Sequence, residues 1–171
     1  MSPNYQFRHV VREDLPLLAQ WRSEDHVRRW WGDDELLTEA DLKDQNVVRW
    51  IVSLESKPFA YLQDYLVHAW VAHPFAYLPK DARGMDQFIG DADFLGLGHG
   101  PGFMRQRIHQ LFQSGTPVVA TDPHPENARA IAAYRKVGFE VDGPVQETQW
   151  GTILPMVCKQ DPGQGSKHSG A

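Results

Sequence analysis

The sequence predicts one α/β domain built on a mixed sheet, and three observations carry that prediction. Segments of alternating or β-branched residues are interleaved with segments of helical spacing, in the order β-α-α-β-β-β-α-β-α-β-β. A glycine-rich segment, FLGLGHGPGFM, stands between a short strand and a helix, which predicts a parallel crossover there. With 171 residues the chain is long enough to bury a core of its own.

The first half of the chain predicts a strand, two helices and a hairpin. YQFRHV alternates and predicts a strand from Tyr5 to Val10, and the apolar spacing of REDLPLLAQWRS predicts a helix after it. A second helix is expected over LTEADLKDQN, with Thr38 as its N-cap and acidic residues in its first turn. The β-branched and aromatic run from VVRWIVSL to YLVHAWV, interrupted by ESKP, predicts a hairpin.

The second half predicts alternating strands and helices. MDQFIGDAD is a short strand candidate, FMRQRIHQLFQ has one apolar helical face, and TPVVATD is a compact strand. HPENARAIAAYRKVGF predicts a helix that Gly138 closes at the position after its last turn. Two closing strands are expected around Phe139 to Val141 and Ile153 to Cys158. We expect one domain over residues 1–160 and a flexible tail, DPGQGSKHSGA, over 161–171.

The composition narrows the classes of protein that this chain can be. Seventeen basic and 22 acidic residues give a net charge of −5, which argues against a general nucleic-acid binder and is compatible with a cationic substrate or an ordinary acidic surface. The single cysteine, Cys158, excludes an intrachain disulfide and a multi-cysteine zinc site. The eight histidines form no H-x-x-x-H or H-E-x-x-H motif, so no metal is expected. No run of about 18 apolar residues occurs, and we expect a cytoplasmic protein without a membrane partner.

The glycine-rich segment has two interpretations when it is taken by itself. A strand, a glycine turn and a helix start present free backbone N–H groups and a positive dipole end to an anion such as a pyrophosphate. A tight turn with glycines for steric reasons alone is the other interpretation. Pro101 lacks an N–H, so only the neighbouring amides could bind an anion there.

A second motif further along the chain favours the phosphate interpretation. It has the form N-x-x-A-x-x-x-Y-x-x-x-G-F, with Asn127, Ala130 and Tyr134 at its first three fixed positions. Together with LGLGHG, which fits a Q/R-x-x-G-x-G/A turn with Leu95 in place of the usual Gln or Arg, this motif resembles the GNAT superfamily of acyl-CoA-dependent N-acetyltransferases. The resemblance implies acetyl-CoA as the cofactor and no metal.

The resemblance also refines the expected fold and names cofactor residues. It implies an α/β (α+β) fold with a mostly antiparallel central sheet, helices on both faces and a splayed parallel strand pair that holds acyl-CoA. The residues that match the family's cofactor-binding positions are Phe88, Ile89, Leu95, Gly96, Leu97, Gly98, His99, Gly100, Gly102, Phe103, Asn127 and Ala130.

Four longer stretches narrow the resemblance to the aminoglycoside 6′-N-acetyltransferase branch. They are RRWWGDDE, YLQDYLV, RGMDQFIGDADFLGLGHG and TDPHPENARAIAAYRKVGF. Siderophore-type acyltransferases share several of these features. The loop VHAWVAHPFAYLPKDA departs from the branch, in which this loop is acidic: here it is apolar, with His68 and His73, and Asp81 is its only acid.

The resemblance assigns roles to individual side chains. Asp86 matches the carboxylate that takes up the proton of the amine, and Tyr134 matches the general acid for the CoA sulfur. A strand-end aspartate and a core aromatic are the structural alternatives. A free thiol has a pKa near 8.5, so loss of Tyr134 should slow the reaction rather than abolish it. The residues expected to bind the substrate are Trp30, Trp31, Gln63, Tyr65, Asp86 and Asp122.

Three functions remain open on the sequence. The first is an acetyl-CoA-dependent N-acetyltransferase that acts on a primary amine of a small cationic molecule, namely the 6′-amine of an aminoglycoside, as in antibiotic resistance. The second keeps this chemistry on a siderophore- or polyamine-type acceptor, and the third is a non-catalytic sensor of acyl-CoA. In each case we expect a small-molecule partner, no nucleic acid, and a monomer or homodimer.

Overall fold

A computed structural model describes residues 2–33 and 36–162, and these residues form nine strands and four α-helices. The strands are β1 (Gln6–His9), β2 (Val47–Leu54), β3 (Lys57–Leu66), β4 (Arg83–Ile89), β5 (Val118–Thr121), β6 (Glu140–Val141), β7 (Gln146–Thr148), β8 (Gly151–Ile153) and β9 (Met156–Lys159). The helices are α1 (Leu15–Ser23), α2 (Asp25–Trp31), α3 (His99–Gln113) and α4 (Ala128–Lys136).

Seven of these strands form one sheet in the order β1-β2-β3-β4-β5-β9-β6, while β7 and β8 form a separate hairpin. All neighbours in the large sheet are antiparallel except β4 and β5, which run parallel and are connected through α3. The glycine-rich segment lies in this connection. The predicted mixed sheet with one parallel crossover is therefore confirmed.

Alternate residues of β3 show that helices cover both faces of the sheet. Ala60 and Leu62 are buried with residues of α3 and α4, whereas Tyr61 is buried with residues of α1 and α2. The side chains of a strand point to opposite faces in turn, so two cores form on the two sides of β3. A third buried cluster, which includes Tyr65 and Phe75, lies where β3 leads into the following loop.

An ion-pair cluster fixes α3 beneath the sheet. The carboxylate of Asp64 on β3 is fully buried and accepts hydrogen bonds from Arg83 Nε at 2.8 Å and Arg107 Nε at 2.9 Å. Trp50 Nε1 donates to the same carboxylate at 3.0 Å. A buried carboxylate that lost one of these partners would be strongly destabilising, so the cluster ties β2, β3, β4 and α3 together.

Three details of the predicted secondary structure are wrong. LTEADLKDQN forms one 3-10 turn, Asp41–Lys43, because the segment has no apolar face to bury and because Asp41 Oδ2 accepts from the Thr38 amide at 2.7 Å to close a local turn. Helix α2 and strand β7 were not predicted from the sequence. The strand expected from Ile153 to Cys158 is two strands, β8 and β9, separated at Leu154 and Pro155. The predicted tail lies outside the described residues from 163 onward.

Candidate active site

A cleft of ≈ 1330 Å³ opens where the parallel strands β4 and β5 diverge. The ladder between these strands pairs Arg83 with Val119 and Gly84 with Ala120. Just beyond it, the Thr121 hydroxyl donates to the Met85 carbonyl at 2.9 Å. This side-chain bond satisfies a backbone carbonyl that the widening ladder would otherwise leave without a partner.

Two carboxyl groups face each other across the fork, which is the point where β4 and β5 diverge. Asp86 lies on β4 immediately after the last paired residues, and Asp122 follows the end of β5. Burial raises the pKa of Asp86, and burial together with the charge of Asp86 raises the pKa of Asp122 well above its usual range. The two side chains share a hydrogen bond that lowers the pKa of Asp86 and raises the pKa of Asp122, so Asp86 is the first of the pair to ionise. The pair thus ionises in two steps, and its singly ionised form has the charge on Asp86.

A chain of hydrogen bonds orients Asp86 from the side of β3. The buried hydroxyl of Tyr61 donates to Gln63 Oε1 at 2.7 Å, and Gln63 Nε2 donates to Asp86 Oδ2 at 2.9 Å. Gln63 and Tyr65 point into the cleft while Asp64 points to the opposite face, as the alternation of a strand requires. Because the Gln63 amide is a donor, it stabilises the ionised form of Asp86.

Tyr134 reaches the same fork from α4. Its ring is buried and packs edge-on against Phe139, with the ring centroids 5.3 Å apart. Its hydroxyl forms hydrogen bonds with Thr121 and Gln87, and burial raises the pKa of Tyr134. The residue therefore belongs to the core and also lines the cleft with a phenol that keeps its proton at neutral pH.

The glycine-rich segment forms the other end of the cleft. Gly98 has a φ of +83° and precedes the first residue of α3, and no side chain caps that helix end. A Cβ at Gly98 or Gly100 would meet nothing within 4 Å, so open space lies beside this backbone. Free amides at the start of a 15-residue helix form an anion site. These residues therefore fit the pyrophosphate of CoA.

Helix α4 forms the wall next to this helix end. Asn127 Oδ1 accepts from the Ala130 amide at 3.2 Å, so Asn127 caps α4, and both residues line the cleft. The guanidinium of Arg129 lies 3.6 Å from the position that a Cβ on Gly96 would occupy. Arg129 therefore adds a positive charge beside the anion site at the start of α3. The sequence analysis did not identify this charge.

Helix α2 covers the cleft from the β4 side. His26 Nε2 lies 2.8 Å from the Ile89 carbonyl and ties α2 to the end of β4. Trp31 packs edge-on against Phe88, with centroids 5.0 Å apart, and so combines a core role with a place in the cleft. The ring centroid of Trp30 lies 5.9 Å from that of His124, which follows β5, so this contact spans the two sides of the fork.

Most of the predicted site residues come together in the cleft, including both expected catalytic residues and all six expected substrate-binding residues. Three expected cofactor residues do not line it. Leu97 is 66% exposed, Phe103 is fully buried in the core, and a Cβ on Gly102 would lie 2.5 Å from the hydroxyl of Tyr5. Sequence reasoning missed Trp70 and Trp150, which no motif marked, and it noted His73 only as an unusual loop residue.

Two absences hold for the described residues. Within 2–33 and 36–162, no group of three or more His, Cys, Asp or Glu side chains is arranged to hold a metal ion. In the same part of the chain, no helix has both the length and the apolar character needed to cross a membrane.

The geometry of the cleft defines a class of protein. One end of the cleft suits the phosphates of an acyl carrier, the other end holds a pair of carboxyl groups, and the open fork connects them. Such a path suits the transfer of an acyl group to a cationic amine.

Comparison with known proteins agrees with this class. A family model described as an acetyltransferase (GNAT) domain matches residues 10–147. Aminoglycoside N(6′)-acetyltransferase type 1 of Klebsiella pneumoniae is 32% identical over 168 residues, which cover 90% of this chain and 82% of that protein. The chain therefore belongs to the GNAT acetyltransferase family and is an acetyl-CoA-dependent N-acetyltransferase.

Solved structures give the same result. The structure of AAC(6′)-Ib in complex with paromomycin and acetyl-CoA aligns with a TM-score of 0.81 at 29% identity, over 98% of this chain and 99% of that one. A structure of AAC(6′)-Ib with coenzyme A and kanamycin aligns with a TM-score of 0.79 at 29% identity, over 92% and 95%. The GNAT fold expected from the two motifs is confirmed.

Proposed function

We propose that this protein acetylates the 6′-amine of an aminoglycoside, with acetyl-CoA as the donor. The observation that carries the proposal is the pair of carboxyl groups, Asp86 and Asp122, that lines the open fork where a cationic amine must enter. The relatives of the chain support the acceptor class, since the Klebsiella pneumoniae protein is named for aminoglycoside 6′-acetylation.

The carboxyl pair would prepare the amine for attack. An amine is protonated at neutral pH and must lose a proton before it becomes a nucleophile. Asp86, whose ionised form is favoured by hydrogen bonds from Gln63 and Asp122, would anchor the ammonium group and accept its proton directly or through one water. Trp30, Trp31 and Tyr65 would form the walls around this amine.

The remaining machinery would serve the donor. Bound acetyl-CoA supplies an activated acetyl thioester. The amides around Gly98 and Gly100 would hold its pyrophosphate, with Arg129 adding charge. Tyr134 holds a proton on its phenol beside the fork, where a departing thiolate would need one.

Other parts of the proposal go beyond the site. We propose one catalytic domain over residues 1–160 followed by a short tail, a cytoplasmic location, and a monomer or homodimer that does not bind nucleic acid. The acidic net charge of −5 supports the last point.

The decisive experiment follows released thiol with acetyl-CoA and a panel of amines. The panel contains kanamycin, an analogue of it with a 6′-hydroxyl group, spermidine and a hydroxylated lysine. We expect turnover with kanamycin and none with the 6′-hydroxyl analogue. Turnover with spermidine or hydroxylated lysine alone would replace the proposal with the polyamine or siderophore alternative. Tight acetyl-CoA binding without turnover of any amine would favour the sensor.

A further inference from the structure

Four rings from three separate segments form a continuous surface on one side of the cleft. Tyr65 lies near the end of β3, Trp70 and His73 lie in the loop before β4, and Trp150 lies between β7 and β8. The centroid of Tyr65 is 5.5 Å from that of Trp70 and 5.7 Å from that of His73, and His73 is 5.2 Å from Trp150. All four residues line the cleft, and we call this surface the aromatic wall.

The aromatic wall begins at the reacting centre and ends in solvent. A Cβ on Gly84 would lie 2.1 Å from the Tyr65 ring, so the ring rests directly on β4 at the fork. Burial and the charges of Asp86 and Asp122 raise the pKa of Tyr65, which places its hydroxyl close to the carboxyl pair. Trp150, at the other end, is 50% exposed. A molecule that reacts at Asp86 and extends outward therefore has this wall beside it.

The rings of the aromatic wall are uncharged. Burial and the nearby charge of His68 lower the pKa of His73, so its ring is neutral at neutral pH. The guanidinium of Arg49, which also lines the cleft, donates to the Asp41 carbonyl at 2.7 Å. The wall therefore offers the π faces of neutral rings, and aromatic faces attract cations.

We propose that the aromatic wall binds the part of the acceptor that lies beyond the reacting amine, with Trp150 as its main specificity-determining residue. The ligand is a saturated ring that carries an ammonium group: its C–H face packs on the rings and its charge lies over the indole of Trp150. This inference rests on the proposed function and specifies how that site selects its substrate. The amine end of the acceptor is bound by carboxylates and the distal end by uncharged rings.

The test compares a long acceptor with a short one. Kanamycin has rings beyond the reacting amine, whereas 6-amino-6-deoxyglucose has the reacting amine on a single ring. For Trp150→Ala we expect the KM for kanamycin to rise about tenfold with kcat changed less than about twofold, because the lost contact is made equally in the ground and transition states. The KM for 6-amino-6-deoxyglucose should not change. Trp150→Phe should restore most of the kanamycin affinity.

The control is Val71→Ala, next to Trp70 in the loop before β4, because the Val71 side chain is 94% exposed and does not line the cleft. It should leave both KM values unchanged. An unchanged kanamycin KM in Trp150→Ala, or an equal rise for both acceptors, would overturn the inference. If the wild type acetylates spermidine but not kanamycin, the proposed function fails. The effect of Trp150→Ala on the KM for spermidine, compared with its effect on the KM for a monoamine, then decides the role of the wall. A wild type that acetylates no amine overturns both.

Discussion

The two ends of the cleft are built in different ways. The cofactor end consists mainly of backbone amides and of side chains from two continuous stretches, 95–101 and 127–134. The acceptor end consists of large side chains contributed by α2, β3, β4, the loop before β4, the residue after β5 and the β7–β8 turn. The cofactor end is thus encoded locally and depends on backbone conformation, whereas the acceptor end depends on contacts between distant segments.

The largest expected effect comes from the acceptor end. Asp86→Asn removes the negative charge that faces the amine and the base that accepts its proton, while the asparagine keeps the shape of the side chain. We expect kcat/KM to fall by about 10²-fold or more with acetyl-CoA affinity changed less than about twofold. Steady-state turnover and CoA titration measure the two quantities. The control is Asp44→Asn, which changes another carboxyl group in the cleft and should retain nearly full turnover. Near-normal turnover of Asp86→Asn would show that Asp86 is not the base that accepts the proton of the amine.

The next effect separates the cofactor end from general backbone strain. Gly98 and Gly115 have φ values of +83° and +98°, and a Cβ on either would meet nothing within 4 Å. Gly98→Val and Gly115→Val should therefore lose similar stability, about 1–2 kcal/mol each. We expect only Gly98→Val to weaken acetyl-CoA binding, by about tenfold, since Gly115 lies outside the cleft. Calorimetry measures the affinity for acetyl-CoA, and thermal unfolding measures stability. Equal affinities in the two variants would refute the anion site at Gly98.

The smallest effect is a shift in pH dependence. The catalytic form of the pair has ionised Asp86, and burial raises the pKa of that carboxyl. Turnover should therefore fall on the acid side at a higher pH than an isolated carboxylate would cause. Asp122→Ala removes a hydrogen-bond donor that favours ionised Asp86, so the acid limb of kcat/KM should move to higher pH, whereas Asp122→Asn keeps a neutral donor and should leave the limb in place. A limb at the wild-type pH in Asp122→Ala would show that Asp122 does not stabilise the ionised form of Asp86.

The local signals in the sequence predicted most of the cofactor end. Asn127 lies at the start of the helix predicted over HPENARAIAAYRKVGF, and it caps α4 through the Ala130 amide, because capping depends on residues within one turn. The glycines were harder to interpret one by one. Gly98 provides a left-handed φ at the helix start, whereas Gly102 makes room for Tyr5, nearly a hundred positions earlier in the chain. No local pattern distinguishes these two reasons for a glycine.

The acceptor end was predicted only in part. Asp86, Gln63 and Tyr65 were identified because the family resemblance assigns roles to these positions. Trp150 was missed because it lies in a turn between two short strands and reaches the cleft only through the packing of the β7–β8 hairpin. The error over LTEADLKDQN has a related cause: capping residues begin a helix, but a segment without an apolar face has nothing to bury that would extend it.

By itself, the sequence determined the mixed sheet, the crossover helix with its open start, and the two motifs that identify the family. These follow from periodicity, capping and glycine positions, which act over a few residues. The tertiary structure decided that Asp86 and Asp122 share a hydrogen bond, that Tyr134 is both buried and in the cleft, and that four distant rings form one wall. Hydrogen bonds between side chains, burial and ring contacts are properties of neighbouring side chains in space, and the chain brings those neighbours together only when β4 and β5 take their places in the folded sheet.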